Sequence, residues 1–205
     1  MSDYKTITQQ AYDGMADAYA ERDSEIIEET FEVKSALDHF ISLLPPGGHV
    51  LDIGSGGGRD SIYMFSKRLE VTGVDLSENM IRNAKERTPG ITYLQMDFEE
   101  LDFANDMFDG IWANASLHHV PKEKLAPVLV RIHRLLKAGG LFYSINKQGE
   151  FDGIRENNKF GKAVRRHFSF YKPEELTGLV KDAGFTIEEV NSSTSDEWVN
   201  VLARK

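Results

Sequence analysis

The residues best suited to chemistry are the glycines of Asp52-Ile53-Gly54-Ser55-Gly56-Gly57-Gly58-Arg59-Asp60, the acids Asp75 and Asp97, and the segment Asn114-Ala115-Ser116-Leu117-His118-His119. An apolar run, His49–Ile53, leads straight into the glycines, so the backbone there can come close to a ligand at the end of a strand. Gly54, Gly56 and Gly58 offer no Cβ to a ligand and tolerate φ angles closed to other residues. Asp75 follows the first glycine by about twenty residues, the spacing at which an acid reaches a pair of ribose hydroxyls. Its other readings are a solvated acid at a strand end or a rival N-cap for the next helix. As a dinucleotide fingerprint the run fails at one place. The third position of G-x-G-x-x-G falls on Arg59, where only a small residue lets helix and strand pack closely, and this disfavours a nicotinamide-dependent oxidoreductase.

These residues need elements to position them, and the pattern supplies an alternation of strands and helices. Residues 6–44 read as helical until Pro45-Pro46-Gly47-Gly48 breaks them. Strands are expected at His49–Ile53, Glu70–Asp75, 91–96, Phe108–Asn114, 141–146, 185–190 and Trp198–Arg204. Helices are expected at 60–68, Glu78–Arg87, 122–137 and 173–183, with Ser77 as N-cap of the second and Pro173 opening the last. Such alternation predicts an α/β fold with a doubly wound, mostly parallel seven-stranded sheet covered on both faces. The last two strands lack a helix between them, so they should pair antiparallel. Residues 1–205 are expected to form a single domain.

The run Asp52-x-Gly54-x-Gly56-x-Gly58 resembles the first motif of class I S-adenosylmethionine-dependent methyltransferases of the small-molecule type. Asp75, Asp97, Asn114 and the turn Leu135-Leu136-Lys137-Ala138-Gly139-Gly140 follow in that family's order. The resemblance implies a Rossmann-like methyltransferase fold, S-adenosyl-L-methionine as cofactor and S-adenosyl-L-homocysteine as product. It implies that Gly54, Ser55 and Gly56 wrap the amino-acid end of the cofactor and that Asp75 takes the ribose. It further implies that Asp97 accepts from the adenine amine while the Phe98 amide meets a ring nitrogen. Leu76 and Met80 would make apolar contacts, and Asn114 would lie near the amino-acid end. By the same resemblance residues 1–44 form a helical lid carrying Tyr12 and Tyr19 on one face. These rings either approach the cofactor's carboxylate and sulfonium or pack the helix on the sheet. Arg59 is either a cation for that carboxylate or a surface arginine, and its place in the glycine loop favours the ligand.

Methyl transfer to an already activated carbon needs alignment above all, and a base only where the acceptor must lose a proton. His119 ranks first as that base, with Tyr19 a further catalytic candidate. By the resemblance, the His118-His119 pair should face the opening of the site, with His118 a candidate substrate contact. Residues 147–170 read as an insertion for substrate, in which Arg165 and Arg166 could receive a carboxylate or phosphate and Tyr171, just beyond it, could form an apolar wall for the substrate. Such a basic cluster is more often a solvated loop. The expected acceptor is therefore a small molecule, with an anionic one within reach. Asn114-Ala115-Ser116-Leu117 is not the pattern of amino-group methylation on nucleobases or glutamine.

Composition sets the outer bounds. The chain has 205 residues, 40% hydrophobic and 28% charged, with a formal net charge of −9. That charge argues against binding a nucleic-acid backbone. No cysteine is present, so disulfides, thiolate metal sites and cysteine nucleophiles are excluded. No metal site, membrane span or signal segment is expected, which makes a cytoplasmic monomer or homodimer the expectation. A cofactor-binding regulatory subunit without turnover stands as the non-enzymatic alternative.

Overall fold

The computed structural model of the chain describes residues 3–25, 31–193, 195 and 197–205. Helices α1 (Asp3–Asp13), α2 (Ala16–Glu25) and α3 (Phe31–Ser42) come before strand β1 (His49–Ile53). Then follow α4 (Arg59–Ser66), β2 (Glu70–Asp75), α5 (Glu78–Arg87), β3 (Thr92–Gln95) and β4 (Phe108–Asn114). The chain continues through α6 (Lys122–Leu135), β5 (Leu136–Lys147), β6 (Asp152–Lys159), β7 (Lys162–Ser169) and α7 (Pro173–Asp182), then ends in β8 (Thr186–Ser192) and β9 (Trp198–Arg204).

Seven strands form one sheet in the order β3-β2-β1-β4-β5-β9-β8, and β9 alone runs against its neighbours, as the pattern predicts. From β1 the chain builds outward through β2 and β3, then returns to lay β4 on the other side of β1. Connections that leave two adjacent strands in opposite directions open a crevice at their carboxyl ends, here between Gly54 and Asn114. Period-two alternation gives the sheet two apolar faces. Leu51, Ile53, Ile111, Ala113 and Phe142 pack with α6 and α7, while Val50, Trp112 and Tyr143 meet Phe40 of α3, Met64 of α4 and Ile81 of α5. Full burial of the leucine, isoleucine, valine, phenylalanine and methionine side chains among these stabilises the fold by about 1.5–3 kcal/mol each.

The start of α5 is fixed by two side chains. Ser77 Oγ accepts from Met80 N at 3.1 Å, which is the expected cap. Asp13, at the end of α1, accepts from Ser77 Oγ at 2.6 Å and Asn79 N at 3.2 Å. A carboxylate there also meets the positive end of the helix dipole, so α1 is anchored beside the glycine loop.

Three differences from the sequence pattern bear on the site. The helical stretch expected over 6–44 is broken at Gly14-Met15, and of the lid expected there α1 and α2 roof the crevice while α3 contributes Val33 to its lining. α3 lies on the sheet, so close that a Cβ on Gly110 would come within 2.7 Å of the Phe40 ring. β5 begins at Leu136, because Leu136 pairs with Phe108 before the register shifts ahead of Gly110. Residues 147–170, expected as an insertion, contain a β-hairpin that the sequence pattern does not signal. β6 and β7 pair from Asp152↔Ser169 to Lys159↔Lys162, closed by Phe160 and Gly161 at φ 52° and 74°. Two successive positive φ angles give the turn that suits the twist of a hairpin.

Candidate active site

A cavity of about 450 Å³ lies at the crevice, floored by the glycine loop and roofed by α1, α2 and β7. The loop is held to the neighbouring strand: Gly54 N and Ser55 N both donate to the Val74 carbonyl, at 2.8 and 3.0 Å. Asp75 then closes the loop from the end of β2. Its Oδ2 accepts from Gly56 N at 3.0 Å and its Oδ1 from Ser77 N at 2.8 Å. Burial pushes the Asp75 carboxyl up to about 6, against the pull of those two amides. A carboxylate has lone pairs left after two such bonds, and these face the cavity side where hydroxyls could donate.

A second acidic pair lies deeper. Asp60, in the first turn of α4, accepts from Trp112 Nε1 and Asn114 Nδ2, each at 2.9 Å, and from Arg59 Nε at 2.8 Å. Burial opposes its charge, but Arg59, Asn114 and Trp112 outweigh that and hold the carboxyl below its ordinary range. Asp52 accepts from Ser61 Oγ at 2.6 Å. Burial first and the charge of Asp60 second push it up to about 8. Two neighbouring buried acids with opposite shifts are the usual result when only one is given cationic and amide donors.

The roof is built from polar contacts between α1 and β7. His167 N donates to Thr8 Oγ1 at 3.0 Å, and Arg166 Nη1 donates to the Tyr12 hydroxyl at 2.9 Å. Tyr12 in turn lies 2.7 Å from His119 Nε2, while His119 Nδ1 lies 2.6 Å from the His167 carbonyl oxygen. A carbonyl can only accept, so Nδ1 carries the proton and Nε2 accepts from Tyr12. Burial lowers the His119 imidazole to about 3, assisted by the charge of Arg166. Tyr12 is raised well above an ordinary phenol, first by burial and then by Tyr19.

Every residue expected to hold the cofactor lines this one cavity, from Tyr12 and Tyr19 through the glycine loop, Arg59, Asp75, Leu76, Met80, Asp97 and Phe98 to Asn114. His118, His119 and Arg166 line it too. Asp97 is already engaged: Oδ1 accepts from Glu99 N at 2.9 Å and Oδ2 from Lys5 Nζ at 2.5 Å. Arg165 and Tyr171 are corrected. Neighbours on a strand face opposite ways, so with Arg166 turned inward Arg165 is exposed on the outer side of β7, paired across from Glu156. Tyr171 is wholly buried in the core beneath α7 and does not reach the cavity. The reading from sequence also missed lining residues. Asp52 was signalled by an acid inside an apolar strand, whereas Lys147 and Trp198 come together only when β9 pairs with β5.

The residues present fit an adenosyl amino-acid cofactor. The loop has room on the cavity side, since a Cβ on Gly56 would meet nothing within 4 Å. Ser55 Oγ and Ser116 Oγ line the cavity, buried and without hydrogen-bond partners among the described residues. Acids stand ready for hydroxyl, amine and ammonium donors.

Comparison with known proteins agrees. The family profile described as "Methyltransferase domain" matches residues 50–140. An uncharacterized methyltransferase of Synechocystis is 34% identical over 152 residues, covering 70% of this chain and 69% of the relative. Phosphoethanolamine N-methyltransferase 1 of Arabidopsis thaliana is 31% identical over 79% of this chain, which spans only 33% of that longer protein. Among solved structures, the 1,6-didemethyltoxoflavin-N1-methyltransferase of Burkholderia thailandensis superposes with a TM-score of 0.70 at 26% identity, covering 96% of this chain and 87% of that one. That structure contains 1,6-didemethyltoxoflavin and S-adenosylhomocysteine. These findings set aside the nicotinamide alternative, and the chain belongs to the class I S-adenosylmethionine-dependent methyltransferases.

Proposed function

We propose that this enzyme methylates a small-molecule acceptor held beneath α1 and β7. The observation that carries the reading is the roof. Thr8 and Tyr12 are hydrogen-bonded to β7, so the cavity is covered where a macromolecular acceptor would have to enter. Relatives named for small molecules such as phosphoethanolamine and 27-O-demethylrifamycin SV support it. When bound, S-adenosylmethionine supplies a methyl group on positively charged sulfur, so the protein's task is alignment and exclusion of water. In this reading Asp75 takes the ribose hydroxyls, while Asp97, the Phe98 backbone, Leu76 and Met80 take the adenine. Asp60 fixes Asn114 and Arg59 toward the amino-acid end, and Asp52 receives a cationic amino group. Tyr12 and Tyr19 turn their rings toward the cation.

His119, expected as a base, is better cast as a positioning residue. Its low proton affinity keeps Nε2 unprotonated, and that lone pair orients the Tyr12 hydroxyl.

Two results test the reading. With methyl-labelled S-adenosylmethionine and a metabolite extract, label should enter the low-mass fraction. Label confined to protein or RNA would overturn a small-molecule acceptor, and no transfer at all would favour a regulatory subunit. The second result is a proton balance. Asp52, raised to about 8 in the free protein, is largely protonated at pH 7. An ammonium beside it favours the carboxylate, so S-adenosylhomocysteine binding near pH 7, where the raised carboxyl of the free protein still holds its proton, should release a proton. Calorimetry in buffers of different ionisation enthalpy measures this, and Asp52→Asn should abolish it. A binding enthalpy independent of buffer would show that Asp52 does not receive the amino group.

A further inference from the structure

Charge is sorted by side within the cavity. Its lining carboxylates, Asp52, Asp60, Asp75, Asp97 and Glu99, all belong to β1, β2 or the segments directly after β1 and β3. The roof and the opposite wall contribute no lining acid. They contribute Arg22, Lys159, Arg166, Lys147, which pairs with Glu197, and Lys5, which pairs with Asp97 and Glu99. Among the described residues Arg59 is the one lining cation on the acidic side, paired with Asp60.

Arg166 is the focus of that side. It is 5% exposed, and its guanidinium is charged at any working pH. Among the described residues no carboxylate lies within ion-pair distance of it. Nη1 donates to the Tyr12 hydroxyl at 2.9 Å and Nη2 to Asn157 Oδ1 at 3.1 Å, both neutral, and Nε is buried with no partner. The rings of Phe168 and Tyr12 lie 4.9 and 5.2 Å from its central carbon and hold the guanidinium plane in place. A buried cation with only neutral partners is unfavourable until an anion joins it, and a fixed guanidinium suits an oxyanion in particular. Beside it stands a flat wall: His118 stacks on Phe168 at 5.6 Å and approaches Trp198 at 5.9 Å, with Lys147 over the indole at 3.9 Å.

We propose that the methyl acceptor is an oxyanion, a carboxylate or phosphate ester on a flat apolar body, whose negative group pairs with Arg166 while its body lies against His118, Phe168 and Trp198. The inference rests on the methyl-transfer reading above. Tyr12 links the two, because the side chain that Arg166 orients is also the one turned toward the cofactor.

The test uses the whole protein saturated with S-adenosylhomocysteine, titrated with benzoate, phenyl phosphate, benzamide and benzylamine. Benzoate or phenyl phosphate should saturate, and whichever binds tighter distinguishes carboxylate from phosphate. Benzamide and benzylamine should bind more weakly by about tenfold or more. Arg166→Met should weaken the preferred anion by about tenfold to a hundredfold, and Arg166→Lys should restore part of it. Saturation by benzamide or benzylamine equal to that of the anions, no saturation by either anion, or anion affinity unchanged in a folded Arg166→Met would each overturn the proposal. The comparison among probes in the wild-type protein decides even if the variant does not fold. Failure of S-adenosylhomocysteine itself to bind would instead count against the methyl-transfer reading.

Discussion

Asp75→Ala is expected to weaken S-adenosylhomocysteine binding about a hundredfold while leaving the protein folded. The carboxylate ends β2 with one backbone amide on each oxygen, from Gly56 and Ser77. Removing it frees two donors, but both border the cavity, where water can replace the lost acceptor, so the cost to the fold is about 1–2 kcal/mol. A bound ribose loses more. Two hydroxyls donating to a charged acceptor are together worth about 3 kcal/mol, which corresponds to the hundredfold loss. Asp75→Asn should not rescue binding, because its amide nitrogen would face a backbone N–H, donor against donor. The raised carboxyl adds a sign. Below about pH 6 Asp75 takes up a proton and ceases to be a pure acceptor, so wild-type affinity should fall as pH drops through that value. Calorimetry from pH 5 to 8 reads both effects. Unchanged affinity in Asp75→Ala would remove this residue from the cofactor site.

The elements around Asp75 are the part of the molecule most legible in sequence. Apolar strands bounded by glycine, proline and Ser77 leave few alternatives, and the helices between them make the sheet mostly parallel. Arg59 already pointed away from a dinucleotide. The hairpin of β6 and β7 was not legible, because Asp152–Lys159 has no apolar alternation and its turn opens on Phe160 rather than asparagine or aspartate. Without the hairpin's register, Arg165 and Arg166 look equivalent; with it, one faces solvent and the other the cavity. His119 illustrates a different loss. Its adjacency to the fourth strand marks it as a site residue, but its chemistry depends on the His167 carbonyl and on Tyr12, which are distant in sequence. Long-range contacts of this kind decide tautomer and proton affinity, and no local pattern encodes them.

Substituting alanine at Gly54 and at Gly56 should separate fold from ligand within a single loop. Both glycines have positive φ, 74° and 53°, so each alanine bears about 1–2 kcal/mol of backbone strain. Their surroundings differ. A Cβ on Gly54 would lie 2.3 Å from Ser116 Cβ, in a buried turn that has no space to yield. Overpacking of that kind adds about 1–3 kcal/mol, so Gly54→Ala should lose about 3 kcal/mol or more in denaturant unfolding. A Cβ on Gly56 meets nothing within 4 Å, so its loss of stability should be that of the backbone alone. Gly47 has φ 71°, an equally open surround and a position away from the cavity, which makes Gly47→Ala the control for that backbone cost. If the cofactor packs on the glycine loop, Gly56→Ala should match Gly47→Ala in stability yet bind S-adenosylhomocysteine at least about tenfold more weakly than the wild-type protein. Equal affinity would mean that the open space beside Gly56 is not where the ligand lies, and the cofactor would then have to be placed against the acids alone.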